Sequence, residues 1–214
     1  MKETESHFEP EPQQIKTAEE LRTYLIWKDE QEGIENGRTI NKSVAEKALR
    51  GIALREDNVY FCIKNQNGEF ISGARVAKTR GFGFTEPIAM IGGAYISPRE
   101  RNKGMVKKLT DRREVWAREN GIEHAITVIL NENVPSLVSK LHQGYKITDV
   151  SSPDGKTGSI TLHKNLMQDE ETHYSEKKVV NFADLYAIKD ALVEGWIGAE
   201  IIQEKEGIKL KMLK

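Results

Sequence analysis

The stretch Tyr95–Leu109, Tyr-Ile-Ser-Pro-Arg-Glu-Arg-Asn-Lys-Gly-Met-Val-Lys-Lys-Leu, constrains the fold of this chain more than any other. An apolar run, Ile88 to Ile96, leads into it with the character of a strand. Met105, Leu109 and Trp116 then recur at helical spacing, which predicts a helix from about Gly104 to Glu119. The loop between carries Arg99, Arg101 and Lys103, and Lys107 and Lys108 follow in the first helical turn. A helix start has unpaired N–H groups and partial positive charge, so it favours Asp or Glu. Only Glu100 has that sign here. Cations on a positive helix end repel it unless an anion sits between them. Strand, basic loop and helix start would then form a phosphate cradle. The charges alone fit a solvated basic turn equally well.

A chain of 214 residues has room for one ordinary domain and an appendage. A formal net charge of −1 gives no strong field toward nucleic acid. No apolar run is long enough to span a bilayer, and Met1–Pro12 is acidic without the apolar core of a signal sequence. The single cysteine, Cys62, excludes an internal disulfide framework and a cysteine-rich metal site. It points to a reducing, cytoplasmic setting. Within the apolar run Val59–Ile63 it reads as buried filler.

Residues 1–13 read as a flexible acidic arm, and Gln14–Lys16 as a short strand. Thr17 with Glu20 is a capping box, opening a helix through Leu21, Tyr24, Leu25 and Lys28 that Gly33 and Gly37 interrupt. A second helix fits Ser43–Arg55. The period then changes to two: Val59–Lys64 and Phe70–Lys78 form strands around a turn with the Asn-Gly signal. Thr79–Glu86, with Gly81, Phe82, Gly83 and Phe84, reads as a mobile loop. Beyond the central helix, Gly121 is a stop, Ile122–Leu130 a buried strand and Asn133–Leu141 a short helix. Tyr145–Val150 and Thr157–Lys164 are strands.

Element order and two motifs together resemble the GNAT (GCN5-related) N-acetyltransferase family. Its acyl-CoA motif reads Arg/Gln-x-x-Gly-x-Gly/Ala after a strand and at a helix start. Arg101, Lys103 and Gly104 match, and Ile96-Ser97-Pro98 parallels the family's Val-x-Pro. Val106 departs from it, standing where a small residue is usual and lets backbone N–H groups close on the pyrophosphate. The second motif, Asn-x-x-Ala-x-x-x-Tyr-x-x-x-Gly-Phe, is similar to Asn133, Ser136, Lys140, Gly144 and Tyr145, with Lys140 in place of the tyrosine. The resemblance covers about three quarters of the chain. It implies an α/β fold, a mixed sheet with helices on both faces, in a GNAT acyl-CoA N-acyltransferase domain over residues 14–166.

The resemblance also implies the chemistry: direct attack of an amine on the thioester of acetyl-CoA. Backbone N–H groups from Asn102 through Lys103, Gly104 and Met105 to Val106 would hold the pyrophosphate, with charge from Arg101 and Lys103. The backbone at Tyr95 and Ile96 would pair with the pantetheine arm as an added strand does. Gly92-Gly93 reads either as a bulge where a ligand approaches or as packing glycines in a twisted sheet. The thioester oxygen needs strand N–H groups as an oxyanion hole. An amine with a pKa of about 10 is mostly protonated at neutral pH, so a base is useful. Glu86 is the candidate, against a plain reading as a solvated carboxylate; Met90, where some relatives carry a glutamate, cannot serve. Lys140 could serve the departing thiolate or point outward, and Tyr145 could relay a proton or be core. Asn133 is both a helix N-cap and a candidate cofactor contact. His142 and His163 lack a third ligand at metal-like spacing, so no metal is expected.

Residues 167–214 read as a polar linker and an αββ extension: a helix capped by Asn181, with Phe182, Leu185, Leu192 and Trp196 at helical spacing, then a hairpin. Ile208, Leu210 and Met212 alternate with Lys209 and Lys211, so one face is buried. So small a module must pack on the main domain, on a second copy in a homodimer, or on a partner. The functional expectation is an acetyltransferase acting on an amine-bearing small molecule or protein. The rivals are a non-catalytic acyl-CoA-binding protein and an interaction protein that uses the extension.

Overall fold

The computed structural model describes residues 10–36, 57–168 and 174–214. The helix expected over Ser43–Arg55 lies outside them, as do residues 1–9 of the arm and 169–173 of the linker. The chain forms two compact units, Met1–Lys78 with Ile91–Trp116, and Thr79–Met90 with Ala117–Lys214.

The first unit opens on β1 (Gln13–Gln14) and α1 (Ala18–Glu35). The Thr17 hydroxyl accepts the Glu20 N–H at 3.1 Å, the forward half of the capping box. The return half falls one residue early: the Glu20 carboxylate accepts the Lys16 N–H at 3.4 Å and also takes the Lys64 ammonium at 2.8 Å. Gly33 does not break the helix. One glycine costs about 1 kcal/mol relative to alanine, and the helix runs on to Glu35, where the Asn36 N–H and side-chain amide both donate to the Glu32 carbonyl. Its buried residues Leu21 and Tyr24 pack with Ile15, Tyr60 and Cys62. A Cβ at Gly73 would come 2.4 Å from the Tyr24 ring, so glycine is what lets α1 close on the sheet. Cys62 is fully buried, and burial pushes its thiol up to about 11.

The strands β2 (Asn58–Lys64), β3 (Phe70–Gly81) and the second half of β4 (Phe84–Ile96) follow β1 in the order β1-β2-β3-β4. The helix α2 (Met105–Glu119) starts in this unit, with Met105, Leu109 and Trp116 buried as the spacing predicts. The mobile loop expected over Thr79–Glu86 is a hairpin instead. β3 continues to Gly81, β4 begins at Phe84, and Phe82 (φ 57°) and Gly83 (φ 80°) make the turn. Two consecutive left-handed residues match the twist of a two-residue hairpin, a geometry hidden because its first position holds phenylalanine.

The second unit holds the first half of β4, β5 (His124–Leu130), α3 (Val134–His142), β6 (Lys146–Ser151) and β7 (Ser159–Asn165). It continues through β8 (Lys177–Asn181), α4 (Leu185–Val193), β9 (Ile197–Glu204) and β10 (Gly207–Leu213). The strand order is β4-β5-β7-β6-β9-β10-β8. Pairing of β4 with β5 is parallel and spans Ile88–Met90; the other pairs in this unit are antiparallel. The sheet is therefore mixed. At its C-terminal end the expected αββ order is corrected to βαββ. Lys177–Asn181 is a strand on β10, not linker. Asp184, not Asn181, caps α4 by accepting the Ala187 N–H at 3.0 Å, so Phe182 and Trp196 fall outside the helix. β9 meets β6 where Ile147 faces Gly198; a Cβ there would lie 2.8 Å from that of Ile147. Among the described residues no helix is long and apolar enough to cross a membrane.

Candidate functional site

In the first unit β4 ends at Ile96, a single 3-10 turn covers Pro98–Glu100, and α2 begins at Met105. Asn102 (φ 63°) and Gly104 (φ 77°) are left-handed, and 101–104 are exposed. The Gly104 carbonyl accepts the Lys108 N–H at 3.1 Å, which leaves the N–H groups of Met105, Val106 and Lys107 as the first-turn donors with no helical acceptor. Nothing lies within 4 Å of a Cβ built on Gly104, so the space beside that residue is open. Met105 is buried and Val106 half-buried.

Four cations of this region pair with carboxylates. The Arg101 guanidinium pairs with the Glu35 carboxylate through both nitrogens, at 2.6 and 2.7 Å, and its Nε donates to the Ile96 carbonyl at 3.3 Å. The buried Tyr95 hydroxyl donates to the same carboxylate at 3.3 Å. Lys103 pairs with Glu100 at 3.1 Å, Lys107 with Asp111 at 2.6 Å and Lys108 with Glu11 at 2.8 Å. The hydrogen bonds from Arg101 hold the Glu35 carboxyl below its ordinary value, and burial followed by the Glu35 charge raises the Tyr95 phenol. Glu35 has no sequence signal as a partner, since it lies 66 residues from Arg101. In β4, Gly93 has φ 61°, so the glycine pair marks a true break in extended geometry.

The second unit brings Lys140 and Tyr145 together. Lys140 is 6% exposed, so it does not point outward. Its ammonium lies 4.7 Å from the Tyr145 ring centroid and donates to the Gln143 side chain at 3.4 Å. Tyr145 is fully buried, with the Lys164 ammonium 5.7 Å from the ring. Asn133 caps α3, its side chain accepting the Ser136 N–H at 3.3 Å. Glu86 is exposed and lies within β4. Nearby in this unit His124 and His163 sit 3.1 Å apart beneath Phe84, and burial lowers the His163 imidazole. Among the described residues no three His, Cys, Asp or Glu side chains cluster as metal ligands would.

The sequence matches the family model described as the acetyltransferase (GNAT) family over residues 5–138. No curated protein matches it. Among solved structures, a GNAT-family protein from Desulfovibrio desulfuricans is similar at 10% identity and a TM-score of 0.59, over 74% of this chain and 99% of that one. An acetyltransferase of the GNAT family from Streptococcus pneumoniae is similar at 14% identity and 0.56, over 73% and 99%. AAC(6')-Iy, bound to the bisubstrate analog CoA-S-monomethyl-acetylneamine, is similar at 18% identity and 0.50, over 64% and 89%. The likenesses speak for the fold, and the family match for its lineage. This chain therefore belongs to the GNAT acetyltransferase family, an acyltransferase on the mixed α/β fold its element order predicted.

Proposed function

We propose that the protein transfers an acetyl group from acetyl-CoA to an amine acceptor. The observation that carries this reading is the exposed loop 101–104 leading into the first-turn N–H groups of Met105, Val106 and Lys107, which have no helical acceptor. Such groups suit a pyrophosphate. When bound, acetyl-CoA supplies an activated acyl thioester. The residues fit it: Arg101 and Lys103 would add charge, the Tyr95–Ile96 backbone would take the pantetheine arm, and Asn133 would add a contact. Glu86, exposed on β4, would take the proton of the attacking amine. Lys140, with Tyr145 beside it, would meet the departing thiolate with a cation; a thiol of pKa about 8.5 needs little more. The buried cysteine suits a reducing compartment, and we place the protein in the cytoplasm.

A second reading is favoured by one observation. Lys140 stands where the family's tyrosine is usual, a departure that suits a non-catalytic or regulatory acyl-CoA-binding protein. Calorimetry with acetyl-CoA tests binding, which both readings require. Intact-mass analysis of amines and cell-extract proteins incubated with isotopically labelled acetyl-CoA separates them. Labelled product supports transfer; tight binding with no product on any acceptor and no thiol release leaves the second reading.

A further inference from the structure

Arg113 is 1% exposed on the apolar stripe of α2, four residues beyond Leu109, although a guanidinium remains charged at any physiological pH. Its Nε donates to the Leu109 carbonyl at 2.9 Å and its Nη2 to the Thr110 hydroxyl at 3.1 Å. Its Nη1 donates to two carbonyls of neighbouring strands, Arg75 in β3 and Gly92 in β4, each at 3.3 Å. An apolar side chain of similar volume would hold the helix on the sheet without the penalty of burying a charge. What the guanidinium adds is direction at the Gly92 carbonyl, one residue before the left-handed Gly93.

That direction has a consequence across the strand. The Gly92–Gly93 peptide is trans, and in a planar trans peptide the C=O and N–H point opposite ways. The nitrogen that takes the Gly92 carbonyl also takes the Arg75 carbonyl of β3, which puts the Gly92 carbonyl on the β3 side and the Gly93 N–H on the opposite one. β3 covers one edge of Ile91–Ile96, and no other described strand of this unit covers the second. We propose that Arg113 is a positioning residue for the acyl group: by fixing the Gly92 carbonyl it presents the Gly93 N–H to the thioester carbonyl oxygen. The inference rests on the acetyl-CoA reading above.

The test uses the full chain and acetyl-CoA carrying ¹³C at the thioester carbonyl, read by isotope-edited infrared spectroscopy. A hydrogen bond to that oxygen lowers its stretching frequency, so the bound wild type shows a band below that of free acetyl-CoA. Arg113→Met returns the band to the free position while CoA affinity by calorimetry stays within about twofold, because CoA has no acetyl carbonyl to align. Arg113→Lys, with one nitrogen where the fork bridges two carbonyls, gives a band between. Should Arg113→Met not fold, as judged by thermal unfolding, Arg113→Lys decides. A wild-type band in either folded variant overturns the proposal, as does a wild-type band unshifted from free acetyl-CoA. Absence of CoA binding by the wild type removes the cofactor reading itself, and this inference with it.

Discussion

The pairing of Glu35 with Arg101 sets up a competition that can be measured. A pyrophosphate that takes Arg101 must displace a carboxylate held at 2.6 and 2.7 Å. Both side chains are substantially exposed, at 45% and 35%, so their pair behaves as a surface salt bridge worth about 0.2–1 kcal/mol. Glu35→Gln removes the charge and keeps an acceptor for the Tyr95 hydroxyl. Acetyl-CoA affinity should therefore rise by about 1.4- to fivefold. Arg101→Gln should lower it about ten- to 150-fold, since a hydrogen bond to a charged group is worth about 1.5–3 kcal/mol. In the Arg101→Gln background, Glu35→Gln should do nothing, which makes the pair a double-mutant cycle readable by calorimetry. The Glu35 carboxyl has a depressed folded-state value because of Arg101. The stability from the pair is thus complete above the unfolded carboxyl value of about 4.3 and is lost as pH falls through the folded value. Near neutral pH the competition should not vary with pH, and salt should weaken it. If Glu35→Gln weakens acetyl-CoA binding, Glu35 orients Arg101 rather than competing for it. If its gain persists without Arg101, the pair is irrelevant to the cradle.

Three further outcomes are expected. Lys140→Met should lower turnover roughly ten- to a thousandfold with little change in acetyl-CoA affinity, and Lys140→Tyr should restore part of it; a wild-type rate in Lys140→Met, measured by thiol release with a productive acceptor, excludes the leaving-group role. Gly198→Ala places a methyl 2.8 Å from the Ile147 Cβ and 3.1 Å from the Leu210 side chain, so it should destabilise the protein by about 1–3 kcal/mol; an unchanged melting temperature would show that β9 does not depend on this approach. The Asp154 carboxyl, which accepts the Thr157 and Lys156 N–H groups, is drawn down to about 2. It should titrate there by carboxyl-carbon NMR, and the turn should lose its contribution only as pH falls from about 4 toward that value.

Local patterns carried much of this protein. Thr17 and Asn133 are legible as caps because a cap needs only a short oxygen-bearing side chain two or three residues before an N–H it can reach. The strand, loop and helix from Ile88 to Glu119 are legible because periods of two and 3.6 are written in the residues themselves. Element order then followed, and with it the family. Where local preference is ambiguous, pairing with a distant strand decides. Lys177–Asn181 is short and lysine-rich, and it becomes a strand because β10 offers it a ladder. Phe82 is a poor left-handed residue, and it takes that conformation because β3 and β4 pair on either side.

The candidate site divides along the same line. The sequence by itself determined that a basic loop meets a helix start, since those residues are neighbours in the chain. The tertiary structure decided what the charges do. Glu35 reaches Arg101 only because α1 runs through Gly33 to end beside the loop, and Lys140 is buried on Tyr145 rather than solvated. Arg113 was missed in the sequence, although its place four residues beyond Leu109 on the apolar stripe was the signal that could have found it. Which carbonyls it holds depends on the register of two strands 21 and 38 residues away. A ladder or an ion pair between distant segments is fixed by how the backbones pack, and the energies that choose it belong to both segments together rather than to either sequence alone.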